Sequence, residues 1–391
     1  MTRRLHPAAS DTGDAAAVVE QLRRRLRHRS LGAPGATDLD FAELARTAGV
    51  ADLTDDLAIN LGDPFLDGGE PRNTKLLERA VIRYVVRLLG GDPDQWRGYV
   101  PSGSTEGIHY GLWLARTRHP RAVVYHSVAA HTCVAKTAHL LGLPTRAVAV
   151  DEGGRMRPDA LAAAIDPRFP VALVVTAGTT MTEAVDDVAA LHTVAHATGA
   201  PVYLHVDAAL SGVPLALDDR PPAAVWLPAG RIDSWSTSGH KWLATRRPCG
   251  IVIARREHVE RLAHRRVPYT GDADVTIGGC RDGQAVTRLW LSLTYADHRA
   301  RLAAARRLAA DTVDALRDRG YLAWRHPHAI TVTIDSPPDP DLVSRWELLG
   351  HHGRVHLITV PGVTRRDVDQ FLSELRPARR RPAPVLRYSS A

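Results

Sequence analysis

The chain has 391 residues, a formal net charge of +7 and only three cysteines, Cys133, Cys249 and Cys280. That length suits one large and one smaller domain, and the sparse, odd cysteine count gives neither a disulfide framework nor metal-ligand spacing, as in a reducing cytoplasm. No apolar run is long enough to span a membrane, no apolar stretch follows the arginines of "MTRRLHPAAS", and no nucleic-acid-binding signature accompanies the basic charge, so neither membrane nor nucleic acid is expected as a partner.

In chain order, residues 1–15 are polar, and "DAAAVVEQLRRRLRHR" has a helical pattern. "LGAPGATDLDFAELARTAG" reads as a loop leading into a helix capped at Asp38 or Asp40. "NTKLLERAVIRYVVRLLG" carries apolar residues at helical spacing and stops at Gly90, and a further helix, "IHYGLWLARTRH", follows "YVPSGSTEG". Short apolar runs then alternate with helical patterns. "AVVYHS", "TRAVAVD", "VALVVTAGTT" and "VYLHVDAA" are strands, separated by the helices "HTCVAKTAHLLG", "RPDALAAAI" and "DVAALHTVAHATG". "SWSTSGHKW" and the return strand "CGIVIA" complete the series. Such alternation predicts a mostly parallel sheet with helices on both faces, and ligands of such sheets bind beyond the carboxyl ends of the strands.

After about residue 290 one long helix, "LWLSLTYADHRARLAAARRLAADTVDALRDRG", leads to "AITVTIDS", "VHLITVPG" and "RRDVDQFLSELR", a smaller α+β unit. The expected organisation is an N-terminal helical segment over 1–58, a large domain over 59–290, a small domain over 291–376 and a basic, proline-rich tail over 377–391.

Four segments at predicted strand ends carry chemistry. "PSGSTEG" sets small residues and hydroxyls directly before a helix, where free N–H groups and the helix dipole favour a phosphate; an ordinary glycine turn is the plainer alternative. "YLHVDAALSG" leaves Asp207 at the end of an apolar strand, where a carboxylate needs a partner. His131 stands before a helix, and Lys241 follows the small polar run "STSGH". Separately each has a mundane reading. Together they suit pyridoxal 5′-phosphate: the lysine binds the aldehyde as a Schiff base, the aspartate keeps the pyridine nitrogen protonated, and the hydroxyls hold the phosphate. No metal site is expected.

On these segments, and on "NLGDPF", "VAKTAHLLG", "TAGTTMTEAVDDV", "PCGIVIA" and "VHLITVPGVT", the chain resembles the group II pyridoxal-phosphate amino-acid decarboxylases of fold type I over roughly residues 30–375. It looks closest to the bacterial histidine and plant serine decarboxylases. Aminotransferases share the fold, but the motif order resembles that of the decarboxylases. The resemblance implies a seven-stranded, mostly parallel sheet and a homodimer with shared active sites. It implies release of carbon dioxide and an amine from an L-amino acid; an aldehyde-forming variant or a silent binding scaffold are the alternatives. It implies that Lys241, Asp207 and His131 are catalytic, with His131 on one ring face and Ala209 on the other. Gly103, Ser104, Thr105, Ser238 and His240 would bind the phosphate, Thr180 would lie near the ring hydroxyl, and Asp186 would orient His240. The segment "TIGGCRDGQ", with Cys280 at a phosphate-binding position, would complete the partner's site. Ala33, Gly69, Glu70, Arg72, Asn73 and Gln284 stand where this family places substrate-pocket residues.

Overall fold

The computed structural model describes residues 19–20, 30–53, 58–66, 72–262, 267–268, 273, 275–351 and 353–376. The expected N-terminal helix, apart from Val19 and Glu20, and the basic tail lie outside this range.

Strand β1 (Ile59–Asn60) precedes β2 (Trp96–Tyr99), β3 (Val123–Ser127), β4 (Thr145–Val148), β5 (Val171–Thr176), β6 (Val202–Asp207), β7 (Ser234–Ser238) and β8 (Gly250–Arg255). Seven of these form one sheet in the order β2-β8-β7-β6-β5-β3-β4. The pairs from β4 through β7 are parallel, and β8 runs antiparallel to both β7 and β2. The interior strand β5, "VALVVT", is buried at every position, as expected of a strand covered by helices on both faces. The edge strand β2, "WRGY", carries no turn or alternation signal, so the sequence reading does not assign it.

Helices fit the sheet through their small or apolar faces. Lys75–Leu88 buries Val81, Ile82, Val85 and Val86, one stripe at helical spacing, and the chain leaves it at Gly90 with φ 75°. The helix Ser104–Arg118 lies close against the sheet because two of its positions are glycine. A Cβ on Gly111 would sit 2.3 Å from the His205 ring, and one on Gly107 would sit 2.5 Å from Ser236 Cβ. Those contacts fix the helix start beside the ends of β6 and β7. At the other cap, Asp40 accepts from the backbone N–H groups of Ala42 and Glu43, starting the helix Phe41–Thr47.

The single long helix expected after residue 290 is two helices, Gly283–Tyr295 and His298–Asp318. Ala296 is extended, and the Asp297 side chain accepts from Ala300 N–H, a cap that starts a new helix inside a continuous apolar pattern. Just before them, β9 (Arg281–Asp282) pairs with β1, and beyond them β10 (Ala323–Trp324), β11 (Thr331–Ile334), β12 (Leu349–His351) and β13 (Arg354–Ile358) form an antiparallel sheet in the order β10-β11-β13-β12. Its core packs Val332, Leu357 and Phe371 against Val313 and Leu316 of the long helix.

Glu183 ties the two sheets together. It is fully buried with φ 56°, and its carboxylate accepts from Ser211 Oγ at 2.9 Å, Ile330 N at 2.9 Å and Thr331 N at 2.8 Å. The 31–36 segment makes a second tie: Ile358 N donates to Leu31 O at 2.7 Å and Ala36 N to Lys241 O at 3.0 Å.

Candidate active site

A cleft of about 480 Å³ opens beyond the ends of β5, β6 and β7. Asp207, the last residue of β6, lies at its floor and is buried. Its Oδ1 accepts from Ser104 Oγ at 3.1 Å and from Ala209 N at 3.2 Å. Burial pushes the Asp207 carboxyl up, opposed by the ammonium of Lys241, the Ser104 hydrogen bond and His131. Burial in turn pushes Lys241 below its ordinary value, with Asp207 opposing. A lysine with a depressed pKa is more readily the free amine that attacks an aldehyde.

The opposite wall is the start of the helix Ser104–Arg118. Gly103 occupies its cap without a side-chain hydrogen bond, leaving the first-turn N–H groups without a side-chain acceptor. Strand packing makes the wall possible: a Cβ on Gly250 would come within 2.9 Å of Gly103 C and 3.1 Å of Ser104 N. Ser238 and His240 close this end, with His240 Nδ1 donating to Cys249 O at 3.2 Å. His131 lines the cleft from the turn after β3, and its Nδ1 accepts from Cys133 N at 3.2 Å.

Pyridoxal 5′-phosphate fits this donor set. The Thr176 hydroxyl, opposite Asp207 in the β5–β6 register, is buried, lines the cleft and has no hydrogen-bond partner. At Gly103 a Cβ would find nothing nearer than His240 Cε1 at 3.9 Å, so the helix start is open to an anion.

Of the residues singled out in the sequence, Gly103, Ser104, Thr105, His131, Thr180, Asp207, Ala209, Ser238, His240 and Lys241 all line this cleft. Asp186 does not. Its two oxygens accept from Met156 N at 2.7 Å and Thr176 N at 2.8 Å, so it braces the backbone beside β5 and does not orient His240. Cys280 is exposed and outside the cleft, whereas Ile277 of the same segment lines the cleft of its own chain. Ala33, Arg72, Asn73 and Gln284 do not line it, although Pro34 does; Gly69 and Glu70 lie outside the described residues. Asn73 instead accepts from Lys75 N at 3.0 Å at the start of its helix.

The sequence reading missed Glu106, His109, Cys133, Thr176 and His356, which also line the cleft. Glu106 had a signal as a carboxylate just before the expected helix, which in the structure starts earlier, at Ser104, and puts Glu106 in its first turn. It accepts from Tyr99 Oη at 2.9 Å, Ser102 N at 2.9 Å and Ser102 Oγ at 2.7 Å. His356 had a signal too, a polar residue inside the apolar run "VHLIT".

Comparison with known proteins agrees with the cleft. The pyridoxal-dependent decarboxylase conserved domain matches residues 115–277. A histidine decarboxylase from Mesorhizobium japonicum is 35% identical over 351 residues, 88% of this chain and 92% of the relative. Serine decarboxylase 2 from Oryza sativa is 30% identical over 367 residues, 90% of this chain and 76% of the relative. Among solved structures, L-methionine decarboxylase from Streptomyces sp. 590 superposes with a TM-score of 0.78 at 25% identity, covering 92% of this chain and 93% of that one. With this breadth of likeness, the chain belongs to the pyridoxal-dependent decarboxylase family, enzymes that work with pyridoxal 5′-phosphate.

Proposed function

We propose that the protein removes the carboxylate of an L-amino acid as carbon dioxide and releases the amine, with Lys241 as the covalent anchor of the cofactor. The observation that carries this reading is the meeting of Lys241, Asp207 and the Gly103–Thr105 helix start around one cleft. Bound there, pyridoxal phosphate supplies the electron sink that accepts the pair left by the departing carbon dioxide.

The chain's own residues do the rest. Asp207, held in place by Ser104 and Ala209 N, would present its carboxylate to the ring nitrogen. The helix start, Ser238 and His240 would hold the phosphate, Thr180 would lie by the ring hydroxyl, and Ala209 and His131 would flank the ring. Because His131 Nδ1 accepts a hydrogen bond, the neutral ring carries its proton on Nε2. That proton is the one available to orient the substrate or return to Cα.

The same reading makes the protein a cytoplasmic homodimer. Leu76 and Tyr84 are 74% and 40% exposed on Lys75–Leu88, and with Trp290, Leu293 and the arginines Arg79, Arg83 and Arg87 they border a surface groove of about 410 Å³, a mixed apolar and basic face that a second copy would cover. Among the described residues no helix is long and apolar enough to cross a membrane. The test is a panel of amino acids given to the holoenzyme, with carbon dioxide, amine, aldehyde and peroxide measured together. Amine and carbon dioxide in equal amounts are expected; aldehyde in place of amine would overturn the amine-forming reading.

A further inference from the structure

His356 is a buried polar side chain without a partner. It lies on β13, paired across the sheet with Leu349 of β12 and Thr333 of β11. It is 0% exposed, and neither ring nitrogen makes a hydrogen bond. The backbones of Gly32 and Met181 face the ring without reaching hydrogen-bond geometry, and Met181 O already accepts from Thr333 Oγ1 at 3.3 Å. Buried polar groups are almost always paired, so an unpaired one asks what it is kept for.

His356 borders the cleft together with Ile358, two residues along the same strand face, and with Leu349 and Pro34. This wall is anchored to the reacting end. The chain that carries Pro34 is bonded at Leu31 to Ile358 and at Ala36 to Lys241. Burial pushes the imidazole down to about 4, so near neutral pH it is uncharged, with one N–H donor and one nitrogen acceptor.

Two carboxylates at the cleft are committed. Glu106 is held by Tyr99 and Ser102, and Asp207 by Ser104 and Ala209 N. Among the described lining residues Lys241 is the only lysine and there is no arginine, and the side chains that line the cleft beside His356, those of Pro34, Leu349 and Ile358, are apolar.

We propose that His356 is a specificity-determining residue that hydrogen-bonds the side chain of the substrate, and that this side chain is uncharged, largely apolar and carries at least one polar atom. This rests on the decarboxylase reading above. An unmet hydrogen bond in a buried site discriminates sharply against analogues that lack the matching group.

The test compares wild type, His356→Leu and His356→Phe in the holoenzyme with amino acids paired by a single polar side-chain atom, such as threonine with valine and serine with alanine, and with histidine, glutamine and methionine. For each, kcat and KM are measured, and the dissociation constant of the corresponding methyl ester is followed by ligand-dependent thermal shift. The ratio of kcat/KM for the polar over the apolar member should fall by about tenfold or more in the variants, with most of the change in KM and in the ester dissociation constant. Unchanged ratios, in variants that still release carbon dioxide, overturn the proposal. A preferred acidic or basic substrate also overturns it. Should neither variant fold, nitrogen-15 spectra of histidine-labelled wild type decide: the His356 ring signals should move when the preferred ester binds, and unmoved signals overturn the assignment. No carbon dioxide from any amino acid would instead sink the decarboxylase reading, while the ester binding ratios still report on His356.

Discussion

Arg281 Nη2 lies 3.2 and 3.0 Å from the two carboxylate oxygens of Glu78, a buried ion pair between residues 203 positions apart. Both Glu78 oxygens and both terminal nitrogens of Arg281 are engaged, while Arg281 Nε is buried without a hydrogen-bond partner among the described residues. Glu78 also accepts from Asn60 Nδ2 at 2.7 Å and Val100 N at 2.8 Å, while Arg281 Nη1 donates to Gly62 O at 3.1 Å and Thr276 Oγ1 at 3.2 Å. The guanidinium also lies over the Tyr99 ring, 5.1 Å from its centre. Arg281 therefore fastens β9 and the segment before it to the large sheet of its own chain.

Removing one partner leaves the other charge buried and unpaired. Arg281→Ala and Glu78→Ala should each lose about 3–5 kcal/mol of stability in urea unfolding. The double variant Glu78→Leu/Arg281→Met should lose clearly less than the sum of the two single losses. Additive losses would mean that the pair is not energetically coupled.

Asp207→Asn separates function from stability. A neutral amide cannot keep the ring nitrogen protonated, so turnover should fall by about 100-fold or more, comparable to losing one electrostatic contact at a reacting centre. Without cofactor, the variant should be at least as stable as wild type, because burial already disfavours the charged carboxylate. Adding pyridoxal phosphate should raise the melting temperature of wild type more than that of the variant. Equal cofactor-induced shifts would contradict the pairing of Asp207 with the ring.

Asp186 gives a pH prediction. Burial pushes its carboxyl up to about 6, against the two backbone N–H groups it accepts from. The native state therefore holds the proton more tightly than the unfolded chain. This contribution to stability is fully present below the unfolded value of 3.8 and is lost as pH rises through about 6. In wild type it amounts to something on the order of 3 kcal/mol. Asp186→Asn should flatten the stability profile between those values. It should also cost about 1–3 kcal/mol near pH 5, because an amide N–H would face a backbone N–H. A profile unchanged by the substitution would show that another group titrates there.

The contrast among these three residues shows what the sequence could and could not convey. Asp207 was legible as a carboxylate at the end of an apolar strand and Lys241 as a lysine after the small polar run "STSGH", and both line the cleft. Asp186 sits in an equally suggestive motif, but its partners are backbone N–H groups, which leave no mark in the residue pattern. The segment around Arg281 was expected to complete a partner's site, with a purely structural role for Arg281 as the alternative; its pairing with Glu78 left no signal because that residue is remote in sequence and looks like one more surface position on an amphipathic helix. The break at Asp297 was hidden for a similar reason: apolar spacing continues across it, and only the cap chemistry of one side chain divides the helices. His356 was not singled out, since a strand pattern cannot tell a satisfied buried histidine from an orphaned one.

The central claim is that Lys241 anchors the cofactor in a decarboxylase, and the most direct measurement pairs wild type with Lys241→Ala. Each is loaded with pyridoxal phosphate, desalted, and given carboxyl-labelled amino acids while visible absorbance and labelled carbon dioxide are recorded. Wild type should retain the cofactor band through desalting and release carbon dioxide with an equal amount of amine. Lys241→Ala should lose the protein-bound band and its turnover while keeping its fold by circular dichroism. Carbon dioxide release by Lys241→Ala near the wild-type rate, without an added amine, would contradict the account.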